Sequence, residues 1–205
     1  MQVVIDRVFG KSVKSLAFIA VLLAGMMANP FDLRAESAAI PDAASPQPTS
    51  LEPGLKVGYY VKLFNTVEQL QDWAKYKDAY PGEPLTSLNY RSGVDTVLTS
   101  SMEDGVGAHI TGFIRIDEVG TYAFAAQSND GLSVDIGGTR VVYDPDVHAD
   151  RYSQPVEVEI KTAGWYPIDV WYFERKNTST LRLYWLLPDE EEGSMTIVPE
   201  KVFGH

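Results

Sequence analysis

The 205-residue chain contains no cysteine. That excludes disulfides, thiol nucleophiles, Cys-ligated zinc and a lipid-modified N-terminal Cys. Histidine is nearly as scarce: His109, His148 and His205 are scattered, whereas transition-metal sites usually draw on more than one imidazole. Basic residues are in deficit, with 17 Lys and Arg against 28 Asp and Glu and a formal charge of −11. A nucleic-acid partner needs the opposite balance, so none is expected. An acidic surface of this kind is compatible with cation binding and with plain solubility. Also missing are His-Glu-x-x-His, a Gly-x-Ser-x-Gly elbow and the phosphate-loop and dinucleotide fingerprints. No pair of carboxylates is singled out for glycoside hydrolysis, and the chain is not expected to be an enzyme.

What is present begins with a targeting pattern. Arg7, Lys11 and Lys14 precede an apolar run from Leu16 to Ala28. At about thirteen residues the run is short for a hydrocarbon core of about 30 Å and suits a signal peptide. Cleavage is expected after Ala35, or alternatively after Ala28, leaving an exported chain with no membrane span; an uncleaved anchor is the competing reading. Residues 36–53 are mostly Ala, Ser and Pro with almost no large apolar side chains. Such a stretch buries too little to offset its ordering entropy and is expected to be a disordered linker. One domain is then expected over residues 54–205, relying on its core alone.

The domain centres on Thr111 to Gly138, TGFIRIDEVGTYAFAAQSNDGLSVDIGG. Tyr122, Phe124 and Ala126 share one face of a strand, and Leu132, Val134 and Ile136 alternate against Ser133 and Asp135. Three successive strands are expected, with Ser128-Asn129-Asp130-Gly131 as a polar turn in which Gly supplies positive φ. Further alternating sets are Val156, Val158 and Ile160, then Tyr166, Ile168, Val170 and Tyr172, then Leu181, Leu183 and Trp185. Between Thr66 and Tyr80 the period changes. Thr66 and Gln69 form a capping-box pattern, and Val67, Leu70, Trp73 and Ala74 line one helical face, so one short helix is expected to plug the barrel and to stop at Pro81-Gly82. Residues 85–106 give little signal, and residues 197–203 offer one further edge strand. Many short strands with turns between them predict an antiparallel β-sandwich or barrel.

Thr-Gly-Phe, Gly-Thr-Tyr-Ala-Phe, Ser-Asn-Asp-Gly, Val-Asp-Ile-Gly-Gly and the pair Ala163-Gly164-Trp165-Tyr166-Pro167-Ile168 and Leu181-Arg182-Leu183-Tyr184-Trp185 occur in this order. The set resembles the protective-antigen (PA-fourteen) domain family over roughly residues 54–188. The resemblance implies a β-sandwich, most often a glycan-binding module on secreted or surface proteins. In the family's calcium-dependent lectins the turn matching Ser128 to Gly131 carries two adjacent aspartates that hold calcium, and the ion holds sugar hydroxyls. Here Asn129 replaces the first, which removes one charge from a site that favours several hard oxygens. By this resemblance Asp130 is the chief calcium ligand, and Asn177, in the loop matching the second calcium loop, joins Asn129 as a secondary one.

Other readings of the same residues stay open. Asn129-Asp130-Gly131 also suits an ordinary turn, Arg175 and Lys176 put positive charge beside Asn177, and Asn177-Thr178-Ser179 fits a glycosylation acceptor. The loop Asp144 to Asp150 holds three carboxylates and His148 but lacks the glycine and closing Glu of an EF-hand, so it reads as a polar turn. Trp171 and Trp165 offer aromatic faces to a pyranose and equally suit packing. The expectation is an exported, lectin-like module for a glycan or cell-surface polysaccharide, with Asn129, Asp130, Asn177 and Trp171 as its carbohydrate-binding residues. A structural or protein-interaction module of the cell envelope is the alternative.

Overall fold

The structure, a computed structural model, describes residues 39, 41–191 and 193–205. The expected leader and its cleavage sites lie outside the described residues. No described helix is long and apolar enough to cross a membrane.

The chain runs through β1 (Lys56–Val61), α1 (Val67–Ala74), β2 (Tyr80–Pro81), β3 (Asn89–Ser92), β4 (Val106–Ile116), β5 (Gly120–Asn129), β6 (Leu132–Ile136) and β7 (Thr139–Asp144). It continues through β8 (Arg151–Tyr152), β9 (Val156–Ile160), β10 (Gly164–Glu174), β11 (Ser179–Leu186), β12 (Thr196–Ile197) and β13 (Phe203–Gly204). Two antiparallel sheets face each other. The first has the order β2-β1-β4-β10-β6-β7, with β13 also on β4; the second has β12-β11-β5-β8, with β3 on β11 and β9 on β5. The expected antiparallel β-sandwich with one short helix is what the chain forms.

Period-two patterning explains the layers. On β10 the apolar Tyr166, Ile168, Val170 and Tyr172 enter the core, while Trp165, Asp169 and Trp171 face out. The 11 residues of β10 pair with the 11 of β4 along their whole length, from Gly164↔Ile116 to Glu174↔Val106. From the other sheet Tyr122, Phe124, Leu183 and Trp185 complete the core. The central three strands do not lie side by side, however. Both edges of β5 are taken, by β11 on one side and by β8 and β9 on the other. β6 therefore crosses to the first sheet and pairs with β10. Ser128 to Gly131 is a corner between sheets rather than a hairpin turn.

The helix is capped as its sequence suggests, with Thr66 Oγ1 accepting the N–H of Gln69 at 3.3 Å. Gln69 Oε1 reaches back to the N–H of Asn65, one residue before the cap, at 3.1 Å. It ends at Ala74, well short of Pro81, because residues 75–79 are exposed and Tyr80 and Pro81 pair with β1 instead. It covers the outer face of the first sheet, not an end of the barrel: Val67 and Leu70 pack with Tyr60, Phe64 and Phe173. Gly107 of β4 permits this approach, since a Cβ there would lie 2.4 Å from Leu70 Cδ1. Residues 85–106, nearly silent in sequence, supply β3 and the buried Leu85, Leu88 and Val97.

Residues 41–53 correct the linker expectation, because they are laid against the sandwich. Asp42 N–H donates to Gly137 O at 2.9 Å and Ala44 N–H to Trp165 O at 2.8 Å. Glu52 and His205 exchange main-chain bonds at 2.8 and 2.9 Å. The Gln47 amide accepts from Trp165 N–H at 2.7 Å and donates to Trp165 O at 3.0 Å. Composition misses this, because docking runs largely through main-chain and amide hydrogen bonds, joined by small apolar contacts at Pro41 and Ala43. Gly137 (φ 54°) leaves the space: a Cβ there would meet Asp42 O at 2.5 Å.

Candidate functional site

Three loops meet where β5, β7 and β10 end. The corner at residues 128–131 is held by shape as well as by bonds. Gly131 is not in the left-handed region as expected; it is needed because a Cβ would lie 2.3 Å from the Phe173 ring and 2.6 Å from Pro145 O. The Asn129–Asp130 peptide is cis. Asn129 O accepts the phenol of the buried Tyr172 at 2.7 Å, and its side-chain amide donates to Thr178 Oγ1 at 2.9 Å.

Asp130 ties the loops together. It is 4% exposed. One carboxylate oxygen accepts the N–H of His148 at 3.1 Å and the other the N–H of Arg175 at 2.8 Å. Burial raises its pKa, and the two amides only partly offset this. Asn177 sits in the adjoining loop with φ 76°, a left-handed conformation that Asn tolerates, and its N–H donates to Asp104 Oδ1 at 2.7 Å. The fold thus brings the corner of Asn129 and Asp130 beside the loop that carries Asn177.

Sequence reasoning missed the carboxylate beside them. Glu174 follows Tyr172 on the inward register of β10 and is fully buried. Its Oε2 accepts Gly105 N–H at 3.1 Å, while Oε1 has no hydrogen-bond partner. Burial pushes this carboxyl up to about 7, with the nearby charges of Asp104 and Asp130 acting the same way. A glutamate at an inward position of an alternating strand was the available signal.

The loop of residues 144–150 is an ion-pair cluster. Arg151 makes a two-pronged pair with Asp144, Arg91 meets Asp150 at 3.0 Å, and His148 Nε2 lies 3.2 Å from Asp144 Oδ2. Burial alone would raise the Asp144 pKa, but Arg151 and His148 hold the carboxyl well below the usual range. Burial works against His148 charging, yet the bonds to Asp144 and Ala149 O win and raise its pKa. Asp144 and Asp150 are thus paired with arginines, one beside the loop and one on β3.

The two tryptophans lie elsewhere. Trp171 stands on the outer face of the first sheet, stacked on His109 with ring centroids 3.8 Å apart. Trp165 is at the other end of β10, 5.8 Å from the Arg115 guanidinium carbon. Neither joins the loop cluster.

Calcium suits the chemistry of the loop end in one respect. Glu174 is a buried acid with an oxygen to spare, beside a second acid whose charge burial disfavours, and a hard cation would relieve both. Among the described residues no three His, Asp or Glu side chains converge on a ready-made metal site. An ion here would therefore depend on the side-chain oxygens of Asn129 and Asn177 beside Asp130 and Glu174.

A model of the PA14 domain family matches residues 94–196. No curated protein matches the sequence. Among solved structures, the PA14 domain of the MpAFP antifreeze protein is 18% identical with a TM-score of 0.65, over 81% of this chain and 96% of that one. The PA14 sugar-binding domain of an RTX adhesin is 16% identical with a TM-score of 0.56, over 75% and 98%. The Epithelial Adhesin 6 A domain from Candida glabrata, solved in complex with Galb1-3GlcNAc, is 14% identical with a TM-score of 0.63, over 82% and 93%. At these identities the likeness is one of fold. The family model covers half of the chain, from the edge of β3 through β12, and takes in all three loops of the candidate site. The chain belongs to the PA14 domain family.

Proposed function

We propose that this chain is an exported, lectin-like module that binds a cell-surface glycan through the loops at residues 128–131 and 175–180, assisted by calcium. The observation that carries the reading is the meeting of these loops at Asp130, beside a buried Glu174 that lacks a partner for Oε1. Fold neighbours named as sugar-binding or adhesin domains support it. Asp130 would be the chief ligand of the ion, with Asn129 and Asn177 contributing amide oxygens. When bound, calcium supplies a hard positive centre for sugar hydroxyls. The chain's own residues do the positioning: Asp130 pins Arg175 and His148, and Thr178 fixes the Asn129 amide.

A glycan array probed with the purified exported chain, with calcium and with chelator, tests the reading. The expected result is binding to a restricted set of glycans that chelator weakens. No binding in either condition would favour an envelope scaffold without a small ligand. Equal binding in both would remove calcium from the proposal and keep the glycan.

A further inference from the structure

The outer face of the first sheet carries a groove apart from the loops. It is about 680 Å³ and lies between α1 and the central strands. One wall is the Trp171–His109 stack, two rings inclined by 9° on neighbouring strands. The stack stands on the β4–β10 ladder, paired along all 11 residues of each strand, and His109 Nε2 is held by Asp169 Oδ2 at 2.9 Å. The other wall is α1, which presents Glu68, Gln71 and Asp72, and Tyr60 lies between the walls.

We propose that this groove is a second glycan site, taking a neutral, hydroxyl-rich sugar chain. A pyranose presents an apolar C–H face and a rim of hydroxyls that both donate and accept. The groove answers both: ring surface from Trp171 above the buried Tyr60, acceptor oxygens from Asp72 and from Glu68, whose Oε1 also takes the Tyr143 phenol, and an amide of either sense from Gln71. Its charge selects against acidic sugars, because Lys75, the cation among its lining residues, is engaged by Asp72 at 2.7 Å.

The site is independent of the loop end. Trp171 is three residues before Glu174 on β10, roughly 10 Å along the strand, and points to the opposite face. Calcium and Asp130 have no part in it.

Affinity electrophoresis of the exported chain through gels holding soluble β-glucan, mannan or polygalacturonate tests the proposal, with chelator present throughout. The wild type is expected to be retarded by a neutral polymer and not by polygalacturonate. Trp171→Ala is expected to weaken that retardation about tenfold or more. A Gln71→Ala/Asp72→Ala variant, altered only on the helix surface, should show the same loss and guards against misfolding of Trp171→Ala. Retardation that survives both groove variants, retardation by polygalacturonate alone, or none by any polymer would overturn the groove. Retardation seen only in a parallel gel with calcium in place of chelator would assign the binding to the loops.

Discussion

The carboxylate of Asp130 accepts the main-chain N–H of Arg175 at 2.8 Å, joining the sheet-to-sheet corner to the loop that follows β10. The same carboxylate holds His148, so a single buried acid sets the relative positions of three loops. Asp130→Ala is expected to destabilise the domain by about 1–3 kcal/mol, the usual range for losing charge-assisted hydrogen bonds and stranding their donors. Chemical denaturation checks this, and amide exchange should show Arg175 and His148 N–H losing protection first. A midpoint unchanged from wild type would mean that the loops hold without it.

Trp185 packs in the core between the sheets. It is 7% exposed, with ring centroids 6.1 Å from Tyr122 and 6.5 Å from Phe124. Trp185→Ala removes the transfer energy and leaves a cavity, for an expected loss of about 3–5 kcal/mol. Without disulfides to limit the unfolded state, that is a large share of a typical total of about 5–15 kcal/mol. Thermal melts of the two proteins should differ by many degrees, and near coincidence would contradict the packing described.

The docked N-terminal segment makes a separate prediction. Gln47→Ala removes the amide that brackets the Trp165 backbone and should cost about 0.5–1.5 kcal/mol. Limited proteolysis should then cut within residues 41–53 faster than in wild type. Equal cleavage rates would return that segment to the linker first expected.

The ion-pair loop predicts a pH window. Asp144 has a pKa lowered from 3.8, so its contribution is present above that value and lost as pH falls below it. His148 has a pKa raised from 6.5, so its contribution is complete below that value and lost as pH rises through the folded-state pKa. Protection of the loop should therefore be greatest from about pH 4 to pH 6.5. Asp144→Asn should flatten the profile on both sides, because it removes the partner of His148 as well. Amide exchange or local proteolysis across pH 3 to 8 measures it, and an unchanged profile in the variant would contradict the pairing.

Much of this architecture could be read from the chain, and the limits have physical causes. Strict alternation in Tyr166, Ile168, Val170 and Tyr172 announces β10 and its inner face, because a sandwich strand has one side to bury. Thr66 and Gln69 announce the helix start, because capping is local. Strand partners are not local: nothing near Asn129 says that β5 has both edges filled, so the crossing of β6 to the other sheet was invisible. The docking of residues 41–53 was missed because it depends on distant glycines and main-chain groups. At the site, the resemblance named Asn129, Asp130 and Asn177, which lie in adjoining loops, and Trp171, which stands on the outer face of the first sheet. Its outward register was readable, but the helix that turns that face into a groove folds back from more than ninety residues earlier.

The central claim is that the loops around Asp130 bind glycan with calcium. Isothermal titration of calcium, followed by the best array glycan, into wild type, Asn129→Asp and Asp130→Asn tests it most directly. Asn129→Asp is expected to tighten calcium binding by restoring a second carboxylate, and Asp130→Asn to abolish both calcium and loop-bound glycan. Identical heats for all three proteins, or none with any, would show that the corner only joins the two sheets.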